Sequence, residues 1–390
     1  MRTDYEYIVL GCGGVGCGAT YWLSRRAGGD VLGLEQFKLF HHNGGSQDYS
    51  RIIRLTYHDI KYTALTPHTY TAWNTVEEES GIQIVTKTGG VEFADVGSKY
   101  QEDVENYAVA METANIPFER IDGDEMMRRY PQFRFEQELD VLIQDETGIA
   151  DPSRGNAAHI ALARGYGATI IDECPVTHIE PFDGGVTVHT NKGTFTCRQL
   201  VVTAGAWVDH VLESVNLSLS VTVTKEQVTY YSTPNLKEFG VGQFPIFICH
   251  ADYAYYGFPV YGEVATKGAI DASGPITTGD TRTFDPVVER EQQLESWLQK
   301  HIPGFLGPKL YTKTCLYTMP KDRDFVFDRH PEHPEIIIFN GAGHVFKFSS
   351  LMGKILSEVA IDGQTDYPID AFTLNRPAIM DPSFEAQFHI

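Results

Sequence analysis

Residues 7–36, YIVLGCGGVGCGATYWLSRRAGGDVLGLEQ, restrict the fold more than any other stretch of the chain. A β-branched and leucine run (Ile8, Val9, Leu10) breaks at Gly11, Gly13, Gly14 and Gly16. It continues as a helical pattern with Ala19, Tyr21, Trp22 and Leu23 and returns to strand at 31–34. The order is strand, tight turn, helix, strand. Such glycines, with Val15 among them, let backbone N–H groups approach a pyrophosphate and let helix and strand pack closely, while the helix N-terminus favours the phosphates. Glu35, about 20 residues past the last glycine, closes the second strand where a carboxylate can bond ribose hydroxyls, with Gln36 beside it. A carboxylate there disfavours a 2′-phosphate, so FAD or NAD is expected rather than NADP.

With 390 residues the chain can form two or three domains. A net charge of −21 argues against nucleic acid or an anionic membrane surface as partner, because both would repel it. No apolar run is long enough to span a bilayer, and the first strand begins too early for a signal peptide, so a cytoplasmic protein is expected. The C-terminal tripeptide Phe388-His389-Ile390 is a poor match to an SKL-type peroxisomal address. The six cysteines (Cys12, Cys17, Cys174, Cys197, Cys249, Cys315) lack CxxC spacing, so neither a disulfide framework nor a metal site is expected.

Beyond Glu35 a polar loop with Ser46 and Ser50 leads to Arg51 and Arg54, whose spacing fits one face of a helix. Charge so close to the end of a dinucleotide strand lies near the reactive ring. The pattern predicts a helix over 65–79, a strand over 85–93 and a charged helical region over 100–135, with Met111, Met126 and Met127 filling core. A helix over 156–166 and a strand over 168–171 follow, then a hairpin of 176–180 with 186–190. The strand 199–207 ends in Thr203-Ala204-Gly205-Ala206, small residues that let a ligand lie against backbone. Alternating strands fill 217–267, and a helix is expected over 287–301. Cys315 is expected at a strand end. A strand over 335–339, a glycine turn and a helix from Ser349 complete the chain. The expected architecture is α/β. A Rossmann-like dinucleotide-binding domain (1–82, 147–215, 322–390) is interleaved with a β-rich α+β domain (83–146, 216–321), and the cofactor lies between them.

Six segments occur in order: GCGGVG with Glu35, SRIIR at 50–54, VVTAGAW at 201–207, YYGFP at 255–259, TCLYT at 314–318, and FDRHPEHPEIIIFNGAGHVFKFSS at 327–350. Through them the chain resembles, over nearly its whole length, the monomeric sarcosine oxidase and N-methyltryptophan oxidase family of flavin-dependent amine oxidases. The resemblance implies FAD, bonded through its 8α-methyl to Cys315. It implies that Arg54 and Lys347 hold a substrate carboxylate, an arginine fork and a lysine point charge suiting that anion. Tyr256 would flank the substrate, His344 would line the pocket, and Arg51 would lie near the ring. Lys267 would stand near flavin N5 and assist oxygen reduction, where a cation stabilises superoxide. Further cofactor contacts are expected from Ser46, Ser50, Val176, Ala204, Gly205, Trp207, Gly341, Gly343 and Phe346. The helix from Ser349 would aim its positive end at the flavin pyrimidine ring.

Three positions depart from the family pattern: Asp271 replaces an active-site histidine, Val345 replaces a glycine, and Phe247 falls where methionine is usual. Asp271 and Phe247 are therefore read as substrate-binding positions that change specificity. Fructosyl-amine oxidases of the wider family also place an acid at the first. The resemblance implies an oxidase of N-alkyl amino acids that uses O2, releases H2O2 and works as a monomer or small homo-oligomer. Oxidases of fructosyl or cyclic imino acids, an amine dehydrogenase serving another acceptor, a flavin-bound subunit without turnover and an NAD dehydrogenase remain open.

Overall fold

A computed structural model of the protein describes residues 2–387; the C-terminal tripeptide discussed above lies outside them. The glycine-flanked strand Asp4–Leu10 occupies the middle of an eight-stranded sheet, between Val31–Leu34 and Gly193–Val202, and runs parallel to both. Thr169–Ile171 extends the sheet on one side. The hairpin of Val176–Phe182 with Gly185–Thr190 extends it on the other, and Ile336–Asn340 pairs parallel with the end of Gly193–Val202. Ile8 and Val9 are fully buried, as a strand covered on both faces requires.

The chain leaves this strand through Gly11 at φ 93°, a conformation that a side chain resists. Helix Gly14–Ala27 follows at once and packs on helices Pro152–Gly165 and Ser349–Asp362. A Cβ at Gly16 would lie 1.7 Å from the Gly11 carbonyl oxygen, so this glycine sets how closely helix and strand approach. Trp22, Leu23, Trp73, Leu351, Met352 and Ile355 fill the layer between the helices.

A second, nine-stranded sheet places Thr222–Tyr231 between Lys309–Met319 and Thr266–Ile270. It continues through Ala254–Phe258 and Ile246–His250 to Gly90–Asp95, Leu139–Gln144 and Glu119–Asp122. Helix Val288–His301 covers one face, with Leu294 and Leu298 on an aromatic core that includes Phe247 and Phe305. Arg51–Ile53, Gly148–Ala150 and Val85–Lys87 form a small third sheet. The cavity described below lies where the carboxyl ends of the parallel strands meet the other face of the nine-stranded sheet, the position at which α/β folds hold ligands.

Several local expectations change. Arg51–Ile53 is a strand paired with Gly148–Ala150, not one face of a helix: the β-branched Ile52 and Ile53 find a partner strand. The region 100–135 divides into helix Gln101–Thr113, strand Glu119–Asp122 and helix Gly123–Arg129. Asn115 at φ 55° ends the first, and Pro117 follows. The segment 85–93 is two strands, Val85–Lys87 and Gly90–Asp95, in different sheets. Residues 203–207 leave the sheet in a 3-10 turn, Gly205–Trp207. Helix Pro152–Gly165 starts earlier than its apolar pattern, because the Asp151 side chain caps it, accepting from the Arg154 N–H at 3.0 Å.

Candidate active site

One cavity runs from the glycine turn to the nine-stranded sheet. Its first part is lined by Gly11, Gly13, Gly14, Val15, Glu35, Gln36, Ser46, Val176, Ala204, Gly205 and Trp207. Glu35 is nearly enclosed and accepts from the Cys12 N–H at 2.9 Å and the Phe37 N–H at 3.0 Å, so its carboxylate is fixed at the strand end. Asn340 Nδ2 and Ser349 Oγ, both on residues of the lining, are buried without a partner among the described residues. Unpaired polar atoms of this kind call for a polar ligand. Main-chain glycines at a helix N-terminus, a carboxylate fixed at the strand end and orphaned amide and hydroxyl groups together fit FAD.

The next part brings Arg51, Lys267 and Cys315 to the cavity around Asp48. Asp48 accepts from Arg51 Nη1 at 2.9 Å and from the Tyr230 hydroxyl at 2.6 Å; its carboxylate lies 2.8 Å from Lys267 Nζ and 3.3 Å from Lys313 Nζ. Burial opposes its charge, but three cations hold its carboxyl well below the usual range. Lys267 also donates to the Ser50 carbonyl at 2.7 Å and to the Ser50 hydroxyl at 3.1 Å. Burial pulls its ammonium down to about 8 against the support of Asp48. Cys315 sits inside strand Lys309–Met319 rather than at its end. Burial pushes its thiol up to about 11, and the Arg51 and Lys267 charges work in the opposite direction.

Beyond lies a polar and aromatic chamber. Lys347 Nζ donates to the Tyr57 hydroxyl at 2.9 Å and to the His344 carbonyl at 3.0 Å. Burial, then the Arg54 charge, hold its pKa well below the usual lysine value. Arg54 forms an ion pair with Glu92 and donates to the Tyr107 hydroxyl at 3.2 Å, its guanidinium between the rings of Tyr57 and Tyr107. His344 bridges the Tyr57 hydroxyl at 3.0 Å and the Arg323 carbonyl at 3.1 Å, and burial keeps it neutral. Asp271 faces Arg323 and the Tyr317 hydroxyl, and Tyr256 and Phe258 complete the wall.

Most residues singled out in the sequence meet here: Arg51, Arg54, Tyr256, Lys267, Asp271, Cys315, Gly341, Gly343, His344, Phe346 and Lys347 all line the cavity, with Val345 between them. Phe247 does not. Side chains alternate along Ile246–His250, and Phe247 and Cys249 enter the aromatic core under helix Val288–His301, leaving Ile248 and His250 to the cavity. Phe247 is thus a packing residue, not a substrate contact. Gly16 is buried under the turn rather than in the lining, and Ser50 meets the site through Arg51, which donates to its carbonyl at 2.9 Å, and through Lys267. Sequence reading missed Asp48, Tyr57, Glu92, Tyr107, His250 and Arg323. Asp48, three residues before Arg51, was visible as an ion-pair spacing, whereas the others arrive from distant elements.

The family model for FAD dependent oxidoreductases matches residues 6–359. Monomeric sarcosine oxidase of Streptomyces avermitilis is 33% identical, the match covering 97% of this chain and 99% of that protein. N-methyl-L-tryptophan oxidase of Escherichia coli is 29% identical, covering 95% and 99%. Among solved structures NikD, an unusual amino acid oxidase essential for nikkomycin biosynthesis, has a similar fold with a TM-score of 0.85 at 24% identity, covering 95% of this chain and 98% of that one. A nearly full-length match and a glycine-lined cavity ending at a fixed carboxylate lead to one conclusion: the chain belongs to the FAD-dependent oxidoreductase family, in the group of monomeric sarcosine oxidase and N-methyltryptophan oxidase.

Proposed function

We propose that the protein oxidises a secondary amine, an N-alkyl α-amino acid, with bound FAD as electron acceptor and O2 as oxidant. The observation that carries this reading is Lys347. Its ammonium nitrogen is held in the cavity by a hydroxyl and a carbonyl, with no carboxylate in ion-pair range among the described residues. A buried cation without a counter-ion is stabilised by an anion from solution, and a substrate carboxylate provides one. Arg54 lies next to it, its charge shared with Glu92, and adds the directional part of the grip.

When bound, FAD supplies the two-electron acceptor for the substrate's carbon–nitrogen unit and the electrons that convert O2 to H2O2. The chain's own residues do the rest. Lys347 and Arg54 fix the carboxylate end. Tyr256 and Tyr317 limit how the amine can lie, and their rings with Phe258 exclude water from it. Lys267 presents a positive charge beside the cofactor end of the cavity, where reduced oxygen species need one.

Cys315 is proposed as the covalent anchor of the flavin, an assignment supported by its place in the lining near Arg51 and Lys267. The division into an FAD domain (1–82, 147–215, 322–390) and a substrate domain (83–146, 216–321) is proposed too. It is supported by sheet membership: every strand of the eight-stranded sheet falls in the first set and every strand of the nine-stranded sheet in the second. A monomer or small homo-oligomer in the cytoplasm is proposed as well; a monomer fits the relative named monomeric sarcosine oxidase, and among the described residues no helix is long and apolar enough to cross a membrane.

The test is a peroxide assay across sarcosine, N-methyltryptophan, pipecolate, proline and fructosyl amino acids. Turnover of secondary amines with stoichiometric H2O2 is expected. Activity confined to primary amines contradicts the substrate class, and reduction without peroxide contradicts the oxidase assignment.

A further inference from the structure

Two buried ion pairs border the substrate chamber, and they face differently. Arg54 lines the cavity and pairs with Glu92, which lies in the wall behind it. Asp271 stays open to the cavity: 23% of its side-chain surface is accessible, against 1% for its partner Arg323. Asp271 Oδ2 accepts from Arg323 Nη2 at 2.7 Å, and Oδ1 accepts from the Tyr317 hydroxyl at 3.1 Å. The pair is held on strained backbone. Arg323 has φ 55°, and Ala272, adjacent to Asp271, has φ 46°. L side chains adopt this region reluctantly, and such residues collect at ligand clamps.

The surroundings add to the pattern. Ala254 accepts the Asp271 N–H at 2.9 Å through its carbonyl, and in the strand register it stands opposite His250. Ala254, Asp271 and His250 all line the cavity. The His250 ring lines the cavity, and its Nε2 is buried without a partner among the described residues. Burial opposes the charge on Asp271, but Arg323 and Tyr317 hold its carboxyl below the usual range, so the carboxylate is an acceptor at neutral pH.

The Asp271 carboxylate faces the cavity with the Arg323 guanidinium behind it, so the pair carries no net charge. A ligand cation drawn to the carboxylate meets the guanidinium behind it, and a ligand anion meets the reverse. A neutral group with both a donor and an acceptor suits the Asp271 carboxylate and the His250 ring together, and an apolar group leaves both without a new bond. We infer that Asp271 and Arg323, with His250 alongside, form a subsite for a neutral hydrogen-bonding substituent, a carboxamide or hydroxyl, on the part of the substrate remote from its carboxylate. The inference rests on the secondary-amine oxidase reading and narrows it: sarcosine, which has no such substituent, is then a poor substrate.

Three side chains of one shape separate the possibilities. Nα-methyl-L-asparagine, Nα-methyl-L-leucine and Nα-methyl-L-aspartate are given to the holoenzyme. The asparagine derivative is expected to have a kcat/KM at least about 10-fold above either of the others. Asp271→Asn makes the pair net positive and is expected to raise the aspartate-to-asparagine ratio by about 10-fold or more; Arg323→Gln lowers it. The same comparison is made by calorimetry with succinamate, 4-methylpentanoate and succinate, which lack the amine and cannot react. Succinamate is expected to bind tightest in wild type. Preference for the leucine shape in both assays, or ratios that neither substitution moves, overturns the subsite. If no N-methyl amino acid is oxidised while succinamate still binds best and the charge changes reverse the order, the oxidase reading fails and the subsite stands.

Discussion

Lys267 Nζ lies 2.8 Å from Asp48 Oδ2, and the same carboxylate bonds Arg51 and lies near Lys313. One buried acid thus organises three positive charges, two of them in the cavity lining. With its ammonium titrating at about 8, Lys267 loses its positive charge as pH rises through that value. Stopped-flow reoxidation by O2 should therefore slow above about pH 8 while anaerobic reduction by substrate does not follow the same titration. Lys267→Met should remove the dependence and slow reoxidation far more than reduction. Asp48→Asn should move the fall to lower pH.

Asp48 also makes a stability prediction whose sign follows from its depressed pKa. Its contribution is present above the unfolded carboxyl value, about 4, and is lost as pH falls through the lower folded value. Asp48→Asn should flatten this acid limb and destabilise at neutral pH by about 3–5 kcal/mol, because three cations lose their counter-ion. Denaturant unfolding at several pH values measures both effects.

Gly16→Ala and Gly13→Ala should fail differently. A Cβ at Gly16 meets main chain at 1.7 Å, whereas one at Gly13 meets the Ser46 side chain in the cavity lining, its hydroxyl at 3.2 Å. The first should reduce soluble yield or cost more than about 3 kcal/mol. The second should fold and lose FAD. Thermal unfolding alongside flavin content separates them.

Lys347→Met should raise KM for a carboxylate substrate by roughly 10- to 100-fold, the range for a charge-assisted bond. Because burial and Arg54 depress Lys347 in the free site, an arriving carboxylate raises its pKa and favours its charged form. Carboxylate binding should weaken as pH rises, with proton uptake detectable by calorimetry in buffers of different ionisation enthalpy. The Lys347→Met protein should lose that uptake.

The cofactor half of the molecule was legible because its signal is local. Glycines, a helix and Glu35 within one βαβ unit specify both fold and ligand, and the structure adds only which glycine serves packing. Arg54 and Lys347 came from family resemblance; their roles depend on contacts that no spacing encodes. Glu92 reaches Arg54 from strand Gly90–Asp95, and Arg323 reaches Asp271 from a left-handed turn. Phe247 was misplaced because a continuous buried strand gives no polar alternation to say which face meets the cavity.

Cys315→Ala addresses the tether apart from the chemistry. Acid precipitation should leave the yellow colour in the wild-type pellet and release it to the supernatant in the variant; colour released from both would remove the covalent link.

Anaerobic titration of the purified yellow protein with an N-methyl amino acid, followed by admission of air, tests the central claim most directly. Bleaching by the substrate, return of colour with air and one H2O2 per substrate consumed are the predicted result. A protein that carries no flavin after reconstitution, or whose colour no secondary amine bleaches, contradicts it.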